Sequence, residues 1–140
     1  MAGFAEVSDI LWRERELLDV LVFKLDQERL LLADDNVRWL ARANHEIDVV
    51  LEELRLTELT RAMEVDTLAA ELGVEPGPTL AQLAAASPSP WAELFTAHRA
   101  AFVTLTAQVR ELSEANRVKL DDALRATRES LLALRDQDSP

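Results

Sequence analysis

The chain has 140 residues, a formal net charge of -11 and no cysteine. One domain is the size expected, and the lack of cysteine excludes disulfides, thiolate chemistry and Cys-type zinc sites. The charge repels a phosphate backbone and disfavours an anionic membrane surface, so nucleic acid and membrane insertion are set aside.

Hydrophobic residues make up 49% of the chain, aromatics only 5%, and there are 3 glycines and no tyrosine. The apolar set is mostly Ala, Leu and Val on a background of Glu, Asp and Arg, which signals long helices or coiled coil. Strands would want aromatic and β-branched residues with frequent turn residues. No basic segment precedes an apolar one as in a signal peptide. No apolar run approaches the ~18 residues of a membrane span, so a soluble, cytoplasmic protein is expected.

The first predicted helix runs over about 4–33. Its series Phe4, Val7, Leu11, Glu14, Leu18, Leu21, Leu25, Glu28, Leu32 alternates steps of three and four. Leu17, Val22 and Leu31 widen this into a bundle-type face. "ADDN" at 33–36 follows, where Asp34, Asp35 and Asn36 are all good N-caps. The next stripe, Val37, Leu40, Asn44, Ile47, Leu51, Leu54, is out of phase with the first. A one-residue offset rotates the face by roughly 100°, so a tight turn is predicted, with one kinked helix as the alternative.

The second helix is expected over 36–72, ended by Gly73 and Pro76. Thr79 and Gln82 match a capping box that opens a short helix over 80–86. "SPSP" stops it. Ser89 then caps, and Pro90 takes the first position of a third long helix over 90–134. A disordered tail is expected over 135–140, closing a single domain over 1–134. The fold expected is all-α: an elongated antiparallel three-helix coiled-coil bundle with a short extra helix in the second connection.

Candidate chemistry is sparse. His45 and His98 are the only histidines, and neither has a second ligand at metal spacing. A phosphotransfer role for His45 would want nearby cations, and Asp48 opposes that. Asp34/Asp35 and Asp121/Asp122 are adjacent pairs that do not face each other on a helix. No Gly-rich phosphate loop exists. The expectation is no enzyme, no cofactor and no metal. Trp91 is expected to anchor the third helix in the core, and Trp12 and Trp39 to lie in the core or at its rim.

Polar residues interrupt the apolar stripes at Glu14, Glu28, Asn44, Glu58, Arg61, His98 and Asn116, as register-setting residues do in coiled coils. On the third helix the stripe reads Phe95, His98, Phe102, Leu105, Val109, Leu112, Asn116, Leu120, Leu124, Thr127, Leu131, Leu134. Its steps become four-four-four between Leu112 and Leu124, a stutter that locally unwinds a supercoil. Asn116 lies within that stutter.

Two passages resemble the FlgN family of flagellar export chaperones. "LVFKLDQERLLLADDNVRWLARANHEIDVVLEELRLTELTR" resembles the family's Leu-rich helix, short polar break and following helix. "LTAQVRELSEANRVKLDDALRATRESLLAL" resembles its C-terminal helix, with Leu112, Asn116 and Leu120 matching and Ser113 in place of an Asn. The resemblance implies a cytoplasmic type III export chaperone. Such chaperones bind the C-terminal helices of flagellar hook-associated (hook–filament junction) proteins and prevent premature assembly. It implies Leu112, Asn116, Leu120, Leu124 and Leu131 as client-binding residues, the export apparatus as a further partner, and room for self-association. A structural or oligomerising coiled-coil module with no export client is the rival reading.

Overall fold

A row of apolar side chains on one 30-residue helix organises the molecule. In the computed structural model, which describes residues 3–35 and 37–137, helix α1 spans Phe4–Ala33. A 3-10 turn follows at Val37–Trp39, then α2 at Leu40–Leu72, α3 at Leu80–Ala86 and α4 at Trp91–Gln137. The described residues are all-helical. α4 runs three residues past the predicted end, so Arg135–Gln137 are helix and not a disordered tail; 138–140 lie outside the described residues.

The chain turns at Asp34 and Asp35, in a way different from the expectation. Asp34 and Asp35 close α1 and do not open α2. Asp34 N–H donates to the Leu30 carbonyl at 3.2 Å, and Asp35 adopts φ 50, the left-handed position after a helix. A chain with so few glycines places there one of the residue types that tolerate this conformation. α2 is preceded by Trp39, without a side-chain cap; the capping role expected of Asn36 lies outside the described residues. The predicted stripe at the start of α2 is also rotated. Val37, Asn44 and Leu51 are exposed, and Ile47, Val50 and Leu54 are buried, because the 3-10 turn resets the helix direction.

Later boundaries follow local chemistry more closely. Gly73 takes φ 71, and Val74 N–H reaches back to the Ala69 carbonyl at 2.8 Å, a Schellman ending. The Gly77 N–H donates to Asp66 at 2.8 Å, tying the loop to α2. Thr79 and Gln82 form the capping box. Ser89 does not cap with its hydroxyl as predicted; it donates to the Glu93 carboxylate at 2.7 Å. The Ser89–Pro90 bond is cis, and α4 begins one residue later than predicted.

α1 is the centre. It packs against α2 on one side and α4 on the other, and α3 packs on α4. One apolar cluster joins Val7 and Leu11 to Val65, Leu68, Leu83 and Phe95; the other joins Leu17, Leu21 and Leu25 to Ile47, Val50 and Leu54. α2 therefore runs opposite to α1. α4 runs with α1: Phe4 stacks on Trp91 at 5.5 Å, near both starts, and Asn116 meets Leu25 farther along.

The described residues form four α-helices and no strand, and residues of α1, α2 and α4 meet in both apolar clusters. α2 meets α4 through side chains: Arg61 lies 5.6 Å from the Phe102 ring centroid, and Val65 and Leu68 share a cluster with Phe95. A cleft of about 690 Å³ lies between the two helices, lined by Glu58 and Arg61 from α2 and by Arg99 and Arg110 from α4. The charges of Arg99 and Arg110, unpaired among the described residues, keep this cleft open to water, because an uncompensated charge is costly to bury.

The turn is testable. Asp35→Val places a β-branched side chain at positive φ and is expected to cost about 1–2 kcal/mol. Asp35→Gly is expected to hold stability within about 0.5 kcal/mol. Urea melts of the two variants check this.

Candidate functional site

α4 changes surroundings along its length. Phe95 and His98 are fully buried. Phe102, Leu105, Val109 and Leu112 are half-buried, and Asn116 is the last buried side chain described on the helix. Leu120 and Ala123 are half-buried, Ala123 beside the end of α1 and the following turn. A 360 Å³ cleft there is lined by Leu32, Val37 and Leu40 on one side and Ala123 and Ala126 on the other. Every described side chain from Leu124 to Asp136 is exposed. Leu124 is 62% exposed, Leu131 62% and Leu134 58%. Leu120, Leu124, Thr127, Leu131 and Leu134 keep steps of four and three, so the core-facing stripe of α4 continues past the end of its neighbours.

Buried polar pairs hold α4 and α2 against α1. Asn116 donates through Nδ2 to the Leu25 carbonyl at 2.8 Å and to Glu28 Oε1 at 3.1 Å. Burial pushes the Glu28 carboxyl above its ordinary range, against the Asn116 hydrogen bond and with help from Asp48. Glu14 is the corresponding link to α2. It accepts from Arg61 at 2.6 Å, and burial outweighs Arg61 in raising its pKa. Glu14 sits between the two apolar clusters and Glu28 at the far end of the second.

His98 forms a third polar site. Arg15 contacts Nδ1 at 3.3 Å and Ser8 contacts Nε2 at 3.4 Å. A guanidinium only donates, so Nδ1 accepts and the proton sits on Nε2, facing the Ser8 hydroxyl. Burial, then the Arg15 charge, lowers the His98 pKa. Trp12 packs edge-on against this ring at 4.9 Å, with Arg15 over its own face at 4.1 Å. Trp12 and Trp39 are rim residues. His45 is exposed.

The five residues assigned to the site from sequence divide. Leu112 packs on the second apolar cluster, and Asn116 points into α1. Leu120 is half-buried; Leu124 and Leu131 are open. The interruption at Asn116 was legible as a polar residue in an apolar stripe, but its partner was not. Glu28 had been flagged on its own stripe, and only the pairing of α1 with α4 brings the two together.

The last helix of this all-helical chain presents an apolar stripe beyond its bundle. The chain belongs to the FlgN family: the family model, described as FlgN protein, matches residues 1–140. That membership makes it a flagellar export chaperone. Neither the comparison with curated proteins nor that with solved structures gives a match. Among the described residues no helix is long and apolar enough to cross a membrane.

Two predictions follow from the buried polar groups. Asn116→Leu leaves the buried Glu28 carboxyl without its partner and is expected to cost about 1–3 kcal/mol. Glu28→Leu combined with Asn116→Leu is expected to recover most of that loss, since an apolar pair leaves nothing unsatisfied. Chemical melts of the two singles and the double measure the coupling.

The second concerns pH. His98 titrates below its ordinary 6.5 in the fold, so the unfolded chain takes up the proton first as pH falls. Its contribution is present above about pH 6.5 and is lost below, through the histidine range. Glu14 and Glu28, raised above 4.5, act in the opposite sense, favouring the fold most at acid pH. His98→Gln should abolish the histidine part of the stability change between about pH 7.5 and 5.5, leaving the glutamate part, read from thermal melts against the parent.

Proposed function

We propose that this protein is a cytoplasmic chaperone that acts by binding and not by catalysis. It holds the C-terminal helices of hook–filament junction proteins until they pass to the type III export apparatus, its second partner. The contact surface is the free end of α4: Leu120, Leu124 and Leu131, joined by Leu134. Leu112 and Asn116 set the position of that surface without forming its exposed part.

The observation that carries the reading is the leucine stripe of α4 continuing beyond Leu120, where α1 no longer covers it. A secreted subunit whose terminal helix pairs only after assembly has an unpaired apolar face beforehand, and helix-to-helix docking masks it. Each leucine gains about 1.5–3 kcal/mol on full burial, so four suffice for useful affinity after the costs of association. A purely structural coiled-coil module would seal its bundle along the whole length, and the exposed end of α4 favours the chaperone over that rival.

Leu124→Asp is expected to reduce binding of junction-protein C-terminal peptides at least tenfold while changing stability by no more than ~0.5 kcal/mol, as for surface positions. Leu21→Asp, at a buried site, should instead cost several kcal/mol. Truncation after Asn116 should abolish binding and leave α1 and α2 helical. Calorimetric titration with circular dichroism checks all three. Undiminished binding by the truncated chain would place the contact elsewhere.

A further inference from the structure

A row of arginines marks one edge of α4. Arg99, Arg110, Arg117, Arg128 and Arg135 follow at steps of 11, 7, 11 and 7 residues. At 3.6 residues per turn, those steps keep all five within about 20° of one direction along roughly 54 Å of helix. The direction lies beside the stripe that carries Leu124 and Leu131, with Asp121 on its other side, and away from Glu111, Asp122 and Glu129.

The row is unusual for this chain. α4 carries seven basic and seven acidic residues, so the whole excess of negative charge lies outside it. Every arginine before α4 is engaged. Arg13, Arg29, Arg42, Arg55 and Arg61 form ion pairs, Arg15 meets His98, and Arg38 lies over Trp39. In the row, Arg117 is held by Glu114 of its own helix at 3.0 Å. Arg99, Arg110 and Arg128 are exposed and make no ion pair among the described residues. Arg99 and Arg110 also form the α4 wall of the cleft toward α2, beside Phe102 and Val103. The cleft and the open leucine stripe therefore share one charged edge.

We propose that this arginine row is the selective half of the binding surface. Its occupant is an amphipathic helix with leucine-like side chains on one face and a row of aspartate or glutamate along the flank of that face. The inference rests on the reading of the free end of α4 as the client surface, and adds the chemistry of the client. The leucines supply affinity. The arginines supply orientation, rate of encounter and rejection of basic-flanked helices. The acidic surface elsewhere repels such a client and confines docking to α4. The acidic side of α4 opposes a nucleic-acid backbone at the same place.

Three labelled peptides of about 30 residues, sharing one leucine stripe and flanked by Glu, Gln or Lys, test this by fluorescence anisotropy against the full chain. The Glu-flanked peptide is expected to bind at least about tenfold tighter than the Lys-flanked one, with the gap narrowing as salt rises from about 50 to 300 mM. Arg110→Glu combined with Arg128→Glu, both at exposed sites, is expected to invert that order with unchanged circular dichroism. Equal binding of all three peptides, abolished by Leu124→Asp, would keep the apolar site and overturn the arginine inference. No binding by any peptide would overturn both. Light scattering that finds a dimer dissolved by the double charge reversal would assign the row to a second copy of the chain and overturn the proposal.

Discussion

Glu14 and Glu28 put carboxyls into the faces by which α1 holds the rest of the molecule. A buried carboxyl must find a donor or give up its charge, and each finds a donor on a different helix. Glu14 takes Arg61 from α2; Glu28 takes Asn116 from α4. Apolar side chains alone would let long helices slide by a turn at little cost, since one leucine fits much like another. The two pairs fix where α2 and α4 stop along α1, and so fix how much of α4 projects beyond it.

That projection is what the binding reading depends on. Asn116 is clamped to the Leu25 carbonyl and Glu28 within the last turns of α1, which leaves the following turns of α4 with few neighbours. A register one heptad different would bury Leu124 or expose Leu112. The chaperone reading thus rests on a polar contact as much as on the leucines that contact leaves uncovered. The same register sets the arginines of α4 along the open edge and beside the cleft.

The cleft between α2 and α4 has a related origin. α1 supplies one apolar stripe, and α2 and α4 both pack along it, with Val65, Leu68 and Phe95 in one cluster. Glu58, Arg61, Arg99 and Arg110 line the side where those two helices face each other. α3 fills one end of the gap with Leu83 and Ala84, which join the first cluster. The molecule is built around a central helix whose apolar stripe meets α2 and α4 together in both clusters. The groove between α2 and α4 combines these charged side chains with Leu18, Leu80, Phe102 and Val103.

Local chemistry made much of this legible from residues alone. The all-helical class follows from composition, because the chain lacks the residues that strands and frequent turns require. The ending at Gly73 and the capping box at Thr79 are short-range hydrogen-bond patterns, so neighbouring residues suffice to specify them. The stripe of α1 is a periodicity of one segment, and it shows in the sequence directly. What the sequence left open was every relation between segments. Asp34 and Asp35 read equally well as the start of one helix or the end of another, and the left-handed turn decides between them. Glu14, Glu28, Arg61 and Asn116 were each legible as interruptions, but nothing local says which meets which. Leu112 and Leu124 carry the same side chain on the same stripe. Only the length of α1 and the register set by its buried glutamates half-bury one of them against the second cluster and leave the other exposed, because burial belongs to the distance between helices and not to any residue by itself.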